Sequence, residues 1–290
     1  MRTDNTFTEY ELIDADNGNR LERWGDIILI RPDPQIIWNE GRKSDLWDKA
    51  HAVYHRSSSG GGYWEQLKPV PEVWSVGFGG MTFRLKPMGF KHTGLFPEQA
   101  VNWKLAQDLI KKANREISVL NLFAYTGGAT VACLKAGAAV THVDASKGMV
   151  LWAKENAAAS GVAERPVRWL VDDCGKFVKR EKRRGRKYDA VIMDPPSYGR
   201  GPSGEIWKLE QQLGELLTDI GSVLSDDPLF FMLNSYTGGL SPTILNYMVK
   251  SSVVRDKSGA VSTDEIGLKV SSRDVILPCG NTTLWVNENG

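Results

Sequence analysis

The chain is poor in most features that would announce a specialised class. It has three cysteines in 290 residues, Cys133, Cys174 and Cys279. None forms a C-x-x-C pair, and an odd number argues against a disulfide framework. The four histidines, His51, His55, His92 and His142, show no zinc-ligand spacing. His51 and His55 are four apart but lack the H-E-x-x-H pattern, so no metal is expected. No apolar run reaches the about 18 residues of a membrane span, and no signal-peptide core opens the chain. A reducing cytoplasm is the expected location. Charge of one sign is missing too: the net charge is +1 and the pI about 7.7. Residues 1–88 carry 11 basic and 13 acidic side chains and the remainder 25 and 22. No global field draws in nucleic acid, which leaves only a local patch for such a substrate.

What is present is a chain of ordinary globular composition, 41% hydrophobic and 24% charged. Residues 1–15 read as polar and loosely held. Strands are predicted at 26–31 and, past a Pro32-Asp33-Pro34 turn, at 35–38. Residues 57–62, Ser-Ser-Ser-Gly-Gly-Gly, read as a flexible loop. Trp74, Val76 and Phe78 alternate up to Gly79-Gly80, and Met81, Phe83 and Leu85 alternate away, which predicts a hairpin. Residues 1–88 therefore read as a small β-rich domain. It holds five of the ten tryptophans (Trp24, Trp38, Trp47, Trp64, Trp74), expected mainly as core filling. Residues 89–115 read as a linker and bridging helix, with Val101, Leu105 and Leu109 on one face.

From residue 116 to 290, strand and helix alternate, which predicts a parallel α/β sheet with helices on both faces. Strands are expected at 117–122, 140–144, 167–171, 188–193 and 229–233, and more near 268–278 and 282–286. Helices are expected from Gly128 to Gly137, from Ser146 to Gly161, through a basic stretch to Gly185, and over 205–224 and 242–251.

The organising stretch is Val119 to Thr130. An apolar strand ends in Phe123-Ala124-Tyr125-Thr126-Gly127-Gly128, and a helix follows. Glycine there lets a ligand lie against the backbone. Acids recur at the next three strand ends: Asp144, then Asp172 and Asp173, then Asp194. In open α/β sheets ligands bind at the carboxyl ends of the strands. Asp144, 17 positions after Gly127, suits a ribose diol. Asp173 could accept from an adenine amino group, with the Cys174 N–H facing a ring nitrogen. Each acid alone could equally be a helix N-cap. The loop is neither G-x-G-x-x-G nor a Walker loop, so the pocket reads as one for a nucleoside without phosphate contacts. Asp194-Pro195-Pro196-Ser197-Tyr198 is the sharpest short signal. A carboxylate, a proline carbonyl and an aromatic ring can hold a planar group by its exocyclic amine. Gly199 to Gly204 reads as a mobile loop able to close over a substrate. Lys176 to Lys187 has eight basic residues in twelve, either a solvated helix face or a phosphate-contacting patch.

Asn121-Leu122-Phe123-Ala124-Tyr125-Thr126-Gly127-Gly128, Val143-Asp144-Ala145-Ser146, Asp172-Asp173 and Met193-Asp194-Pro195-Pro196 together resemble the class I S-adenosylmethionine-dependent methyltransferases. The match is nearest the group containing the large-subunit rRNA cytosine-C5 methyltransferases. His92-Thr93-Gly94 with Gln99 resembles that group's segment just before the fold. The resemblance implies a Rossmann-like seven-stranded sheet with one antiparallel strand, beside the small N-terminal β-rich domain. It implies cofactor contacts at Phe123, Ala124, Tyr125, Thr126, Gly127, Gly128 and Asp194 for the methionine part. It also implies contacts at Asp144 with Ala145 and Ser146 for the ribose, at Asp173 and Cys174 for adenine, and at Phe96 and Gln99 to close the pocket. Asp194, Pro195, Ser197 and Tyr198 are then the catalytic candidates, with Arg200 a contact to phosphate or base.

Two features depart from the group. The N-terminal region differs from its usual small RNA-binding domain. Cytosine-C5 methylation also needs a cysteine nucleophile, and here Asn234-Ser235-Tyr236-Thr237 puts Tyr236 in its place. The expected function is direct methyl transfer to a nucleobase nitrogen of RNA, rRNA favoured. The alternatives are a small-molecule or protein methyltransferase, and a non-catalytic nucleotide-binding module.

Overall fold

The computed structural model describes residues 1–57, 61–201 and 204–288. It divides into two compact units, Met1–Val101 with Ile266–Cys279, and Asn102–Glu265 with Gly280–Gly290. Ser58, Ser59 and Gly60 of the expected flexible loop, and Pro202 and Ser203 of the expected mobile loop, lie outside the described residues.

The first unit is built on a five-stranded sheet in sequence order: β1 (Tyr10–Asp16), β2 (Asn19–Trp24), β3 (Ile27–Pro32), β4 (Ala52–Arg56) and β5 (Gly62–Gln66). Asn17 and Gly18 join β1 to β2 with φ of 46° and 76°, the two left-handed residues of a tight hairpin turn. One face is apolar: Ile13, Leu21 and Ile30 pack on Trp47 and Ala50. A separate hairpin, β6 (Trp74–Phe78) and β7 (Met81–Leu85), turns at Gly79 and Gly80 with φ of 55° and 76°, as the alternation predicts. Trp24 and Trp47 are buried, and half-buried Trp38 and Trp64 donate their indole N–H groups to Ala15 O and Met88 O. Asp14 ties the unit together. Its carboxylate accepts from the Lys43 N–H, Trp47 Nε1, Ser272 Oγ and Arg273 Nε at 2.7–2.8 Å.

In the second unit α1 (Ala100–Lys112) is followed by β8 (Ser118–Leu122), α2 (Gly128–Lys135), β9 (Ala139–Asp144), α3 (Lys147–Ala159), β10 (Val167–Val171), α4 (Cys174–Arg183) and β11 (Ala190–Met193). Then come β12 (Tyr198–Arg200), β13 (Ile206–Lys208), α5 (Leu209–Val223), β14 (Phe230–Ser235), α6 (Pro242–Met248), β15 (Ala260–Lys269) and β16 (Ile276–Val286). Seven strands form one sheet in the order β10-β9-β8-β11-β14-β16-β15. The crossovers run outward from β8 one way and from β11 the other. Right-handed connections then set helices on opposite faces, with a switch point between β8 and β11. β16 is the antiparallel strand against β14. The strands β11 and β14 are wholly buried. Leu120, Val191, Met193 and Phe231 share a core with Phe177 and Val178 of α4 and Leu213, Leu217 and Ile220 of α5.

Several local expectations are corrected. Tyr10–Asp16 is a strand, because its polar residues are inward donors and acceptors such as Asp14 and not solvent-facing ones. Residues 35–38 form no strand; the Ile36 and Trp38 carbonyls accept from the Asn17-Gly18 turn. The long helix begins at Leu209, since Ile206–Lys208 pairs with Tyr198–Arg200 as a hairpin. The penultimate strand runs over Ala260–Lys269, ahead of its expected place.

Candidate functional site

The register levels the carboxyl ends of the strands. Leu122 pairs with Val143 and Met193, and Met193 with Leu233. The next row is therefore Asp144, Phe123, Asp194 and Asn234, with Val171 opposite Asp144. Residues far apart in the chain share one edge of the sheet, next to the switch point.

The loop after β8 holds an uncommon backbone. Phe123, Tyr125 and Gly127 have φ of 54°, 50° and 82°; for the two side-chain-bearing residues that conformation costs about 1–3 kcal/mol each. Local hydrogen bonds offset it. The Ala124 N–H donates to Val143 O at 3.1 Å, and the Gly127 N–H to Ala124 O at 3.0 Å. The Tyr125 N–H donates to Asp144 Oδ2 at 2.8 Å. Asp144 also accepts the Ser146 N–H on Oδ1 at 2.8 Å. Burial raises its pKa, and these two N–H groups oppose the shift. Each oxygen keeps a further lone pair for a hydroxyl donor.

The two glycines are required by space. A Cβ on Gly127 would sit 2.8 Å from Ala153 Cβ, and one on Gly128 2.6 Å from the Trp103 ring. α2 begins at Gly128 without a side-chain cap, so its first N–H groups point out of the loop at the sheet edge.

Asp173 is the N-cap of α4, Oδ1 accepting the Lys176 N–H at 2.8 Å. The capping alternative therefore holds for that oxygen. Asp172 pairs with Arg180. Cys174 Sγ is buried and accepts the Phe123 N–H at 3.2 Å. Burial drives its thiol well above the ordinary range, which makes it a brace under the loop. Ala145 is half-buried and Ser146 caps α3 through Met149 N–H.

Asp194 ends β11, half-buried, with Pro195 buried behind it and Pro196, Ser197 and Tyr198 exposed. Of the two proline carbonyls, that of Pro196 is taken by a distant side chain: Trp207 Nε1 donates to it at 2.6 Å. The same indole packs on Phe123 with ring centroids 5.1 Å apart, so the β12–β13 hairpin is fastened to the loop after β8. The Glu205–Lys176 ion pair fastens it to α4 as well. Trp207 escaped the sequence reading because it lay inside an expected helix.

Tyr236 follows β14 and is 37% exposed. A Cβ on Gly280 would meet its ring at 3.0 Å and Ser235 O at 2.8 Å, so glycine makes the tyrosine's seat. Beneath it lies a buried network that the sequence gave no pattern for. Asn102 Nδ2 donates to Asn234 Oδ1 at 3.0 Å and Thr282 Oγ1 at 2.9 Å, and Thr282 Oγ1 to Asn234 Oδ1 at 2.8 Å. Phe96 and Gln99 lie in the first unit, at the turn Pro97–Gln99 ahead of α1, with Gln99 buried.

The model of the S-adenosylmethionine-dependent methyltransferase family matches residues 31–230. The chain belongs to that family. The methyltransferase is 33% identical to the SAM-dependent methyltransferase from Agrobacterium tumefaciens, with a TM-score of 0.94 over 99% of this chain and 93% of that one. It shares its fold with SMU.776, a methyltransferase complexed with S-adenosylhomocysteine (TM-score 0.74, 18% identity, covering 97% of this chain and 76% of that one). It is also similar to the ribosomal RNA large subunit methyltransferase K/L of Shewanella frigidimarina, 35% identical over 148 residues, which is 50% of this chain and 20% of that protein. The corresponding protein of Colwellia psychrerythraea is 25% identical over 221 residues, 73% of this chain and 30% of that one. The chain thus spans a fifth to a third of these curated relatives.

S-adenosylmethionine is the cofactor, and the residues present fit it. Gly127 and Gly128 leave bare backbone at the switch point, and Asp144 offers acceptors at the level of Asp194. When bound, the cofactor supplies an electrophilic methyl group on a sulfonium. Among the described residues no group of three or more His, Cys, Asp or Glu could hold a metal ion, and no helix is long and apolar enough to cross a membrane.

Proposed function

We propose that this enzyme transfers the methyl group directly to a nitrogen of an RNA nucleobase, rRNA favoured, without a cysteine adduct. The observation that carries the reading is the lack of a competent thiol. Tyr236 stands where the cytosine-C5 group has its cysteine. Cys133 and Cys174 are buried, and burial pushes Cys133 up to about 12 and both Cys174 and Cys279 well above the ordinary range. A nitrogen nucleophile needs no covalent activation; holding its lone pair in line with the methyl supplies most of the effect.

In this reading Asp194 accepts from the target amine, and the Pro195 carbonyl is the second acceptor, since Trp207 occupies that of Pro196. Tyr198 at the start of β12, 51% exposed, and Tyr236 after β14 flank the target, and Ser197 and Arg200 complete the contacts. The pieces from Phe123 to Gly128, Asp144, Ala145, Ser146, Asp173 and Cys174 hold the cofactor. The assignment of Phe96 and Gln99 to the cofactor rests on the resemblance of their segment. The β-rich domain over residues 1–88 serves substrate recognition. The RNA assignment draws on the relatives named for rRNA methylation.

A second reading, a small-molecule or protein acceptor, is favoured by the basic helix. Lys176, Lys179 and Lys182 of α4 pair with Glu205, Glu215 and Asp219, so much of its charge is spent within the chain. Tritium-labelled S-adenosylmethionine, incubated with the enzyme and total RNA from cells lacking its gene, separates the two. Label in RNA with N-methylated nucleosides supports the first; label only in protein or small molecules supports the second.

A further inference from the structure

The β1–β3 sheet has a second face, and it mixes charge with apolar side chains, Leu12 and Leu29 lying directly across from Glu22. Alternation places Arg20, Glu22 and Trp24 of β2 together with Tyr10 of β1 and Arg31 of β3, with Arg20 paired directly across from Arg31. All five are buried. Buried ions of this kind seldom stabilise a fold better than apolar side chains of similar volume. Their presence needs a further reason.

The bonds within the cluster are unequal. Glu22 is saturated: Arg31 grips it with Nε at 2.5 Å and Nη2 at 2.8 Å, and the Tyr10 hydroxyl donates to it at 2.7 Å. Arg31 spends a further N–H on Lys91 O at 3.0 Å. Arg20 is different. Its contacts to Glu22 and Asp33 are 3.6 and 3.7 Å, beyond good hydrogen bonds, and its buried Nε has no hydrogen-bond partner among the described residues. A guanidinium carries five donors in a rigid fork, and the Nε–H of this one is buried and unused, although the residue is only 6% exposed.

Three neighbours in the same unit point the same way. Lys91 Nζ reaches Pro32 O at 3.2 Å. Burial and then Arg20, with Arg31 and Arg56 adding and Asp33 opposing, bring its pKa down to about 8. His92 is driven to about 3 by burial and then Arg31, Lys91 and Arg20. Its ring is therefore neutral, and its buried Nδ1 has no hydrogen-bond partner among the described residues. The same holds for Thr93 Oγ1 on a residue with no exposure. At Lys91 the cations Arg20, Arg31 and Arg56 outweigh Asp33, and at His92 Arg31, Lys91 and Arg20 outweigh Glu22. Glu98 is a further buried carboxylate of this unit, and it and Arg20 both bear on the Cys279 thiol.

We infer that Arg20 and Lys91, with His92 and Thr93, form a binding site for a phosphate-type oxyanion. A fork of donors with an unpartnered buried Nε, beside a primary amine and in the positive field felt at Lys91 and His92, matches tetrahedral oxygens. A cation would meet the wrong field there. The site adjoins the segment assigned to the cofactor, since the His92 ring packs on Phe96 with centroids 5.1 Å apart, but it does not depend on which acceptor is methylated.

The experiment is thermal melting of the full chain in rising inorganic phosphate, with ionic strength held by chloride. The expected result is a saturable rise in Tm. Arg20→Gln and Lys91→Met should each weaken phosphate by roughly ten- to hundredfold, the worth of a charge-assisted hydrogen bond. Lys91 is only part-buried, so Lys91→Met decides the matter if Arg20→Gln fails to fold. No rise, or a non-saturating rise equal in wild type and Lys91→Met, overturns the inference, the latter being general exclusion of phosphate from the surface. A short single-stranded RNA that displaces the phosphate identifies a nucleic-acid backbone as its source. Phosphate binding that RNA leaves untouched identifies a free anion; both results uphold the site.

Discussion

The edge of the parallel sheet and the interior of the β1–β5 sheet solve opposite problems. At the edge, the chain removes side chains and bends backbone. Gly127 and Gly128 admit no Cβ, and Phe123 and Tyr125 accept left-handed φ, which leaves main-chain atoms bare. In the β1–β5 unit, the chain does the reverse and buries long charged side chains, which then need partners. Those partners come from far away: Arg273 reaches Asp14, and Lys91 O receives Arg31. The first device is local and the second is not, and that difference sets what each variant should do.

The largest expected effect is in the β1–β5 unit. Asp14→Ala removes the acceptor for five donors, the Ala15 N–H among them, and leaves Arg273 with one fewer carboxylate, which should cost about 3–5 kcal/mol. Chemical denaturation would measure it; a loss within the noise would break the view that buried ions organise this unit. The pH sign follows. Burial pushes the Asp14 carboxyl up, but the Trp47, Lys43, Ser272 and Arg273 donors outweigh it and hold it below its usual 3.8. Its contribution is thus full above pH 3.8 and is lost on acidification below that.

At the edge, Asp194→Ala should cut turnover by at least about a hundredfold if, as proposed, its carboxylate accepts from the reacting amine, while thermal stability changes little. Near-normal turnover would sink its role. Gly128→Ala should cost about 1–3 kcal/mol as Trp103 gives way, and weaken S-adenosylmethionine in calorimetric titration. An unchanged affinity would mean that the glycine serves packing alone. The smallest effect belongs to the surface. Lys179→Ala breaks an exposed pair with Glu215, worth about 0–1 kcal/mol and less in salt; a larger loss would show that the α4–α5 ladder acts as a network.

What was legible in the sequence follows the same division. The order of strands from Ser118 onward, the loop from Phe123 to Gly128 and the acids at Asp144 and Asp194 could be read because each lies at the end of an apolar run. The Gly79-Gly80 hairpin could be read for the same reason. β1 was missed because Asp14 and Asp16 look like surface residues until Arg273, more than 250 positions later, is brought beside them. Trp207 was missed because a three-residue strand leaves no periodicity. The Asn102–Asn234–Thr282 network was missed because three polar residues on three elements have no spacing in common.

The most direct test of the central claim is the fate of the methyl group. Labelled S-adenosylmethionine, the purified enzyme and rRNA from cells lacking it should give an N-methylated nucleoside. Transfer should persist when Cys133, Cys174 and Cys279 are each replaced by alanine, and fail in Asp194→Ala. A C5-methylated pyrimidine, or activity lost with one cysteine in a variant that still folds and binds cofactor, would contradict direct transfer to nitrogen.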